Sequence, residues 1–230
     1  MTEVDLECER MCRSVLADRF PDHDILAEEL GAIASARPPS RFRWIFDPLD
    51  GTTNYAHGLP IFCSSLGLEI DGRCEVGAIF DPTRQELFTA ERGLGARLNG
   101  ATLRVSSTAQ LLDALLVTGF PYDVHQQSAD LVELFGAFLA RARAVRRLGS
   151  AALDLCYVAA GRLDGFWEQY LKAWDVAAGA LIVEEAGGRM TGIDGTAFDT
   201  AAGHLVASNG ALHEQMLEVI RTFRSRNRTD

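Results

Sequence analysis

Residues 44–55 read WIFDPLDGTTNY, in which three apolar residues, Trp44, Ile45 and Phe46, run into two aspartates, Asp47 and Asp50, set three positions apart around a proline. The apolar triplet predicts a buried strand over 43–48. Pro48 fixes its own φ and keeps Asp47 out of the helical region, while Gly51 allows a sharp turn after Asp50. Two carboxylates are therefore presented from a stiff corner. A bare pair would raise one pKa, whereas a hard divalent cation such as Mg2+ would hold both ionised. The same letters also describe an ordinary turn with an aspartate capping a helix that opens at Thr52 and Thr53. The rest of the chain has to decide.

The chain has 230 residues, 47% of them hydrophobic, enough for one large domain or two small joined ones with a packed core. We read 1–230 as a single domain with a soft internal boundary near 105–112. The formal net charge of -10 disfavours a nucleic-acid backbone as partner. Arg141, Arg143, Arg146 and Arg147 are read as the solvated end of a helix and an edge strand. No apolar run reaches the roughly 20 residues that cross a bilayer, and the charged start MTEVDLECER does not resemble a signal peptide, so a soluble, cytoplasmic protein without a membrane partner is expected. Five cysteines without a CxxC are expected to be small buried hydrophobes rather than a disulfide or zinc framework.

Apolar residues recurring every three or four positions predict helices over 4–19, 128–142, 150–160, 175–186 and 211–224. Strands are predicted at 25–29, 43–48, 63–70, 74–81, 86–91, 114–119, 162–168 and 204–209, with IDGR at 70–73 as a hairpin turn. ARPPSR at 36–41 is predicted to be a loop. Strands gather as hairpins in the first half and interleave with helices in the second, which points to an α+β or layered fold.

Further acids bear on the corner. Glu28 and Glu29 follow an apolar strand, and only one of two adjacent residues can face a given side. Asp175 follows Trp174 at the start of a helix, where negative charge is favoured. Asp5 lies on the first helix. No P-loop, GxSxG elbow or HExxH occurs, and the five histidines lack metal-ligand spacing. Carboxylates at strand and helix ends, beside GTT and GSAA turns that open helices, fit metal-assisted phosphoester hydrolysis. The helix-start amides at 51–54 and 149–152 would hold phosphate oxygens.

At these residues the chain resembles the inositol monophosphatases, within the lithium-sensitive, magnesium-dependent phosphatases that include fructose-1,6-bisphosphatase. WIFDPLDGTTN is similar to the first signature of that family and WDVAAGALIVEEAGG to the second, and the likeness runs from about residue 4 to the C-terminus. The resemblance implies a layered α-β-α-β-α sugar-phosphatase fold, usually homodimeric, with two or three Mg2+ per site. It implies Glu28, Asp47, the Leu49 carbonyl, Asp50 and Asp175 as metal ligands, and Glu28, Thr52 and Asp5 as the groups that orient and activate the attacking water. It further implies Asp50, Gly51, Thr52, Gly149, Ser150, Ala151, Glu168 and Asp175 as substrate contacts. One metal would acidify the attacking water and another would stabilise the leaving alkoxide.

The chain also departs from the family pattern. The usual first N-terminal helix, ahead of the segment matching Asp5, and the lysine after it are expected to be missing. Ala27, Leu30 and Ala173 stand where glycine, a small hydroxyl residue and proline are common. GTTNYAHGLP resembles the branch acting on inositol phosphates more than those acting on adenosine bisphosphate or histidinol phosphate. The expected activity is a Mg-dependent phosphomonoesterase acting on inositol monophosphate or a similar sugar or polyol phosphate. The alternatives are histidinol phosphate, fructose bisphosphate or adenosine bisphosphate as substrate, or a regulatory binding protein that keeps the fold. Lys172 is expected to be a solvated residue at a helix entry.

Overall fold

In the computed structural model, which describes residues 2–33, 40–121, 124–125 and 129–226, WIFDPLD lies in the third strand of a large sheet. The chain opens on helix α1 (Glu3–Arg19) and continues through β1 (Asp24–Ala27), β2 (Gly31–Ile33), β3 (Phe42–Asp50) and the short helix α2 (Thr52–Ala56). Next come β4 (Cys63–Ile70), β5 (Arg73–Asp81), β6 (Glu86–Glu91), β7 (Gly95–Leu98) and β8 (Ala101–Thr102). These strands form a sheet in the order β2-β1-β3-β4-β5-β6-β7-β8. Its pairs are antiparallel except β1 with β3.

The second half supplies β9 (Leu115–Thr118), α3 (Ala129–Leu139), β10 (Ala144–Arg146), α4 (Ala151–Ala159) and β11 (Gly165–Gln169), then α5 (Ala173–Glu185), β12 (Arg189–Gly192), β13 (His204–Ser208) and α6 (His213–Arg226). Its strands form a second sheet in the order β10-β9-β11-β13-β12. Helices α4 and α5 lie between the two sheets, α1 packs on β3, and α3 and α6 pack together beside the second sheet. This is the layered α-β-α-β-α arrangement.

Small residues allow the central layer to close. Helix α5 carries Ala177, Ala178, Gly179 and Ala180 and is buried continuously from Val176 to Val183, as a helix enclosed on all sides must be. Gly77 of β5 faces it so closely that an added Cβ would lie 3.0 Å from the Ala178 carbonyl oxygen, and one on Gly179 would lie 2.6 Å from Leu155 of α4. That fit fixes the start of α5, and Asp175 with it.

Strands β4 and β6 occupy the bounds read for them in the sequence, 63–70 and 86–91. IDGR makes the turn between β4 and β5, with Asp71 at φ 52 and Gly72 at φ 81. Strands β2, β7, β8, β10 and β12 were not foreseen, being too short to show a period of two. Residues 36–39 of the expected ARPPSR loop lie outside the described ones. A helix is present at the N-terminus and it is the one that carries Asp5, but its buried face corrects the apolar reading. The enclosed side chains are Asp5, Glu9, Arg13 and Leu16, while Met11 and Val15 are exposed. Cys63, Cys74 and Cys156 are buried as expected, whereas Cys8 and Cys12 are partly exposed. No helix among the described residues is long and apolar enough to cross a membrane.

Candidate active site

The two aspartates of the corner are turned inward by an irregularity in the sheet. Asp47 pairs with Ser65 and Asp50 with Cys63, so three steps along β3 match two along β4. Pro48, which has no N–H to give a neighbouring strand, sits in this bulge, and its carbonyl accepts the Ser64 hydroxyl at 2.7 Å. The Leu49 amide donates to Asp47 Oδ1 at 2.9 Å. Gly51 follows at φ 94, where a Cβ would meet the Ile61 carbonyl at 2.8 Å, so the corner admits only glycine.

The distant acids arrive on separate elements. Glu28 sits at the end of β1, its amide bonded to the Phe46 carbonyl at 3.3 Å. The turn after it is held by Glu9 of α1, which accepts the amides of Glu29 at 2.9 Å and Leu30 at 3.1 Å and is paired with Arg13 at 2.7 Å. Asp175 lies in the first turn of α5 and accepts the Lys172 amide at 2.7 Å. Asp5 is fully buried and accepts the Thr52 hydroxyl at 3.1 Å; that hydroxyl also lies 2.9 Å from the Leu49 carbonyl. Asn54 ties α2 to the chain ahead of α4 through bonds of 2.8 Å to the carbonyls of Ile61 and Leu148.

A cavity of about 520 Å³ results, within the range of small-molecule sites. Glu28, Asp47, Leu49, Asp50, Gly51, Thr52, Gly149, Ser150, Ala151, Glu168 and Asp175 all line it. Asp5 lies behind Thr52, outside the lining. Lys172 and Arg147 also reach the wall, and both are exposed.

One expectation is corrected. The start of α4 does not offer free donors to a phosphate, because Asp50 takes them: Ser150 Oγ donates to its Oδ2 at 2.6 Å and the Ala152 amide at 2.7 Å. Sequence reading also missed Glu9, Asn54 and Asp154. Glu9 could have been found from its spacing of one helical turn after Asp5. Asn54 and Asp154 carry no local signal.

The carboxylates burden one another. Burial, then the charges of Glu29, Asp50 and Asp5, pushes Glu28 up to about 7, although a hydrogen bond with Asp47 opposes the shift. Burial and the charges of Asp50 and Glu28 push Asp175 up to about 7. Asp47 is raised well above the usual range by burial and then by Asp50, Glu28 and Asp175. Burial raises Asp50 against the hydrogen bonds at the start of α4. Among the described residues none of these acids is ion-paired.

Among the described residues no three such side chains close around one point as a finished metal cage. The donor chemistry nevertheless fits Mg2+. Hard oxygen ligands converge on one cavity, they repel in the absence of a cation, and a divalent ion would hold them ionised.

The model of the inositol monophosphatase family matches residues 1–225. The chain is 44% identical over 220 residues to an inositol-1-monophosphatase of Synechocystis sp., covering 96% of this chain and 76% of the relative. It is also 44% identical over 223 residues to the Nus factor SuhB of Pseudomonas aeruginosa, covering 96% and 82%. The solved inositol monophosphatase of Anabaena superposes with a TM-score of 0.90 at 43% identity, covering 95% of this chain and 86% of that one. An IMPase/NADP phosphatase solved in complex with Mg2+ and phosphate superposes with a TM-score of 0.83 at 27% identity, covering 95% and 81%. With the layered fold and the acid-lined cavity in place, these matches show that the chain belongs to the inositol monophosphatase family of phosphoric monoester hydrolases.

Proposed function

We propose that this cavity hydrolyses the phosphomonoester of inositol or a similar polyol in a Mg2+-dependent reaction. One observation carries the reading: Glu28, Asp47, Asp50 and Asp175, brought in by β1, β3 and α5, line one cavity with no cation of the described chain paired to any of them. Bound Mg2+ would supply neutralisation of the phosphate and a water acidic enough to attack it. Glu28, Asp47, the Leu49 carbonyl, Asp50 and Asp175 are the groups that would hold the ions. Thr52 accepts the proton of the attacking water while its own hydrogen passes toward Asp5, and Glu28 orients the same water from β1. The Gly51 and Thr52 amides, in the cavity wall, would donate to the phosphate. Glu168, beside the Gly149–Ala151 turn, would accept hydrogen bonds from the ring hydroxyls.

A panel of phosphate esters tests this reading. Inorganic phosphate release is expected from inositol 1-phosphate with Mg2+, suppressed by Li+ and absent in EDTA. Faster release from fructose bisphosphate, histidinol phosphate or adenosine bisphosphate would move the substrate while keeping the chemistry. The name Nus factor, carried by a relative at 44% identity, favours a second reading in which the fold also serves a regulatory partner. Metal-dependent release from no ester of the panel would favour that reading alone.

A further inference from the structure

We propose that Gly119 is a positioning residue for substrate choice, because it leaves the space in which the Glu168 carboxylate lies; the proposal rests on the polyol phosphatase reading. Strands β9 and β11 run parallel with Thr118 opposite Trp167, so the next residues, Gly119 and Glu168, stand side by side at the cavity. Thr118 Oγ1 donates to the Trp167 carbonyl at 2.6 Å and locks the two strands together at this point. A Cβ on Gly119 would stand 2.2 Å from Glu168 Oε2, 2.3 Å from Oε1 and 2.4 Å from Cδ. The three nearest obstacles are thus all atoms of one carboxylate, and none is backbone.

Nothing else among the described residues fastens that carboxylate. Glu168 is buried, yet no hydrogen bond or ion pair to its side chain is present among them. The like charges that bear on it are those of Asp175 and Asp50, and the buried Asp154, which Glu168 burdens in turn, has no partner for either carboxyl oxygen. No hydrogen bond among the described residues holds Glu168 in place, so its oxygens are left over for a ligand. Gly119 is outside the left-handed region of backbone space, so alanine is tolerated by the main chain there. The methyl would displace the end of a flexible side chain, and the fold would survive by giving up the carboxylate position.

The test compares inositol 1-phosphate with phenyl phosphate, which has no hydroxyl for Glu168 to meet. Gly119→Ala is expected to raise KM for inositol 1-phosphate about tenfold, the scale of a lost charge-assisted hydrogen bond, with kcat within twofold and phenyl phosphate unchanged. In a Glu168→Ala background the same alanine is expected to change neither KM. Gly119→Ala combined with the shorter Glu168→Asp is expected to recover part of the inositol preference. An unchanged KM for inositol 1-phosphate, an equal rise for both esters, or an undiminished effect in the Glu168→Ala background would overturn the proposal. Calorimetric affinity for the non-hydrolysable methylenephosphonate analogue of inositol 1-phosphate in Mg2+ reads the same tenfold loss without turnover. Absence of hydrolysis would therefore count against the phosphatase reading, and absence of an affinity change against Gly119.

Discussion

Thr52 Oγ1 lies 3.1 Å from Asp5 Oδ1 and 2.9 Å from the Leu49 carbonyl, so one hydroxyl, 47 residues on from a buried acid of the first helix, joins that acid to the DPLD corner. Asp5 also accepts the amide and hydroxyl of Thr2, which fixes its orientation from the other side.

A base placed in this way acts on the rate and not on binding. Asp5→Asn and Thr52→Ala are each expected to lower kcat by about 10²-fold or more with KM within twofold, and Thr52→Ser is expected to retain most activity. Initial rates on inositol 1-phosphate check this. A rate unaffected by Asp5→Asn would remove Asp5 from the water-activating pair.

Metal-free protein and Mg2+-loaded protein are expected to respond to pH in opposite ways. Glu28 and Asp175 are raised to about 7 in the fold, against a value near 4 in the unfolded chain. The protonated acids therefore stabilise the metal-free fold fully below about pH 4, and that contribution is lost as pH rises through 7. Mg2+ has to displace those protons, so the gain in Tm on adding Mg2+ is expected to grow from pH 5 to pH 8. Thermal melts with and without the ion measure it, and a gain independent of pH would contradict the assignment of these acids as ligands.

His213 supplies a pH dependence away from the site. It is fully buried between Thr191 Oγ1 and Ser208 Oγ, each at 2.9 Å, and burial, followed by the charge of Arg189, depresses it to about 4. The neutral ring is the native form. Its contribution is present above pH 6.5 and is lost as pH falls toward 4, by about 3 kcal/mol at most. Urea unfolding at pH 7.5 and pH 5 is expected to show a steeper loss for the wild type than for His213→Asn. Parallel losses would place the acid sensitivity elsewhere.

The sequence was most legible where local pattern and tertiary role coincide. A short apolar run between turn residues sufficed for β4, and apolar recurrence over 175–186 sufficed for α5, because both elements are built into the core. The DPLD corner was legible from proline and glycine stereochemistry alone. The resemblance, not periodicity, supplied Asp5. Its helix buries charge and leaves the apolar Met11 and Val15 exposed, the reverse of what apolar spacing over 4–19 implies. The engagement of α4 by Asp50, the bracing of the Glu28 turn by Glu9, and the bridge from Asn54 to Leu148 all depend on partners 20 to 102 residues away. No local rule reports such pairs.

The most direct test of the central claim is the Mg2+-dependent rate of phosphate release from inositol 1-phosphate, measured side by side for the wild type and Asp47→Asn. Asp47 is buried among like charges, so the amide is expected to keep the fold, raise the Tm of the metal-free protein by a few degrees, and abolish turnover at every Mg2+ concentration. Retained turnover by Asp47→Asn at saturating Mg2+ would contradict the account.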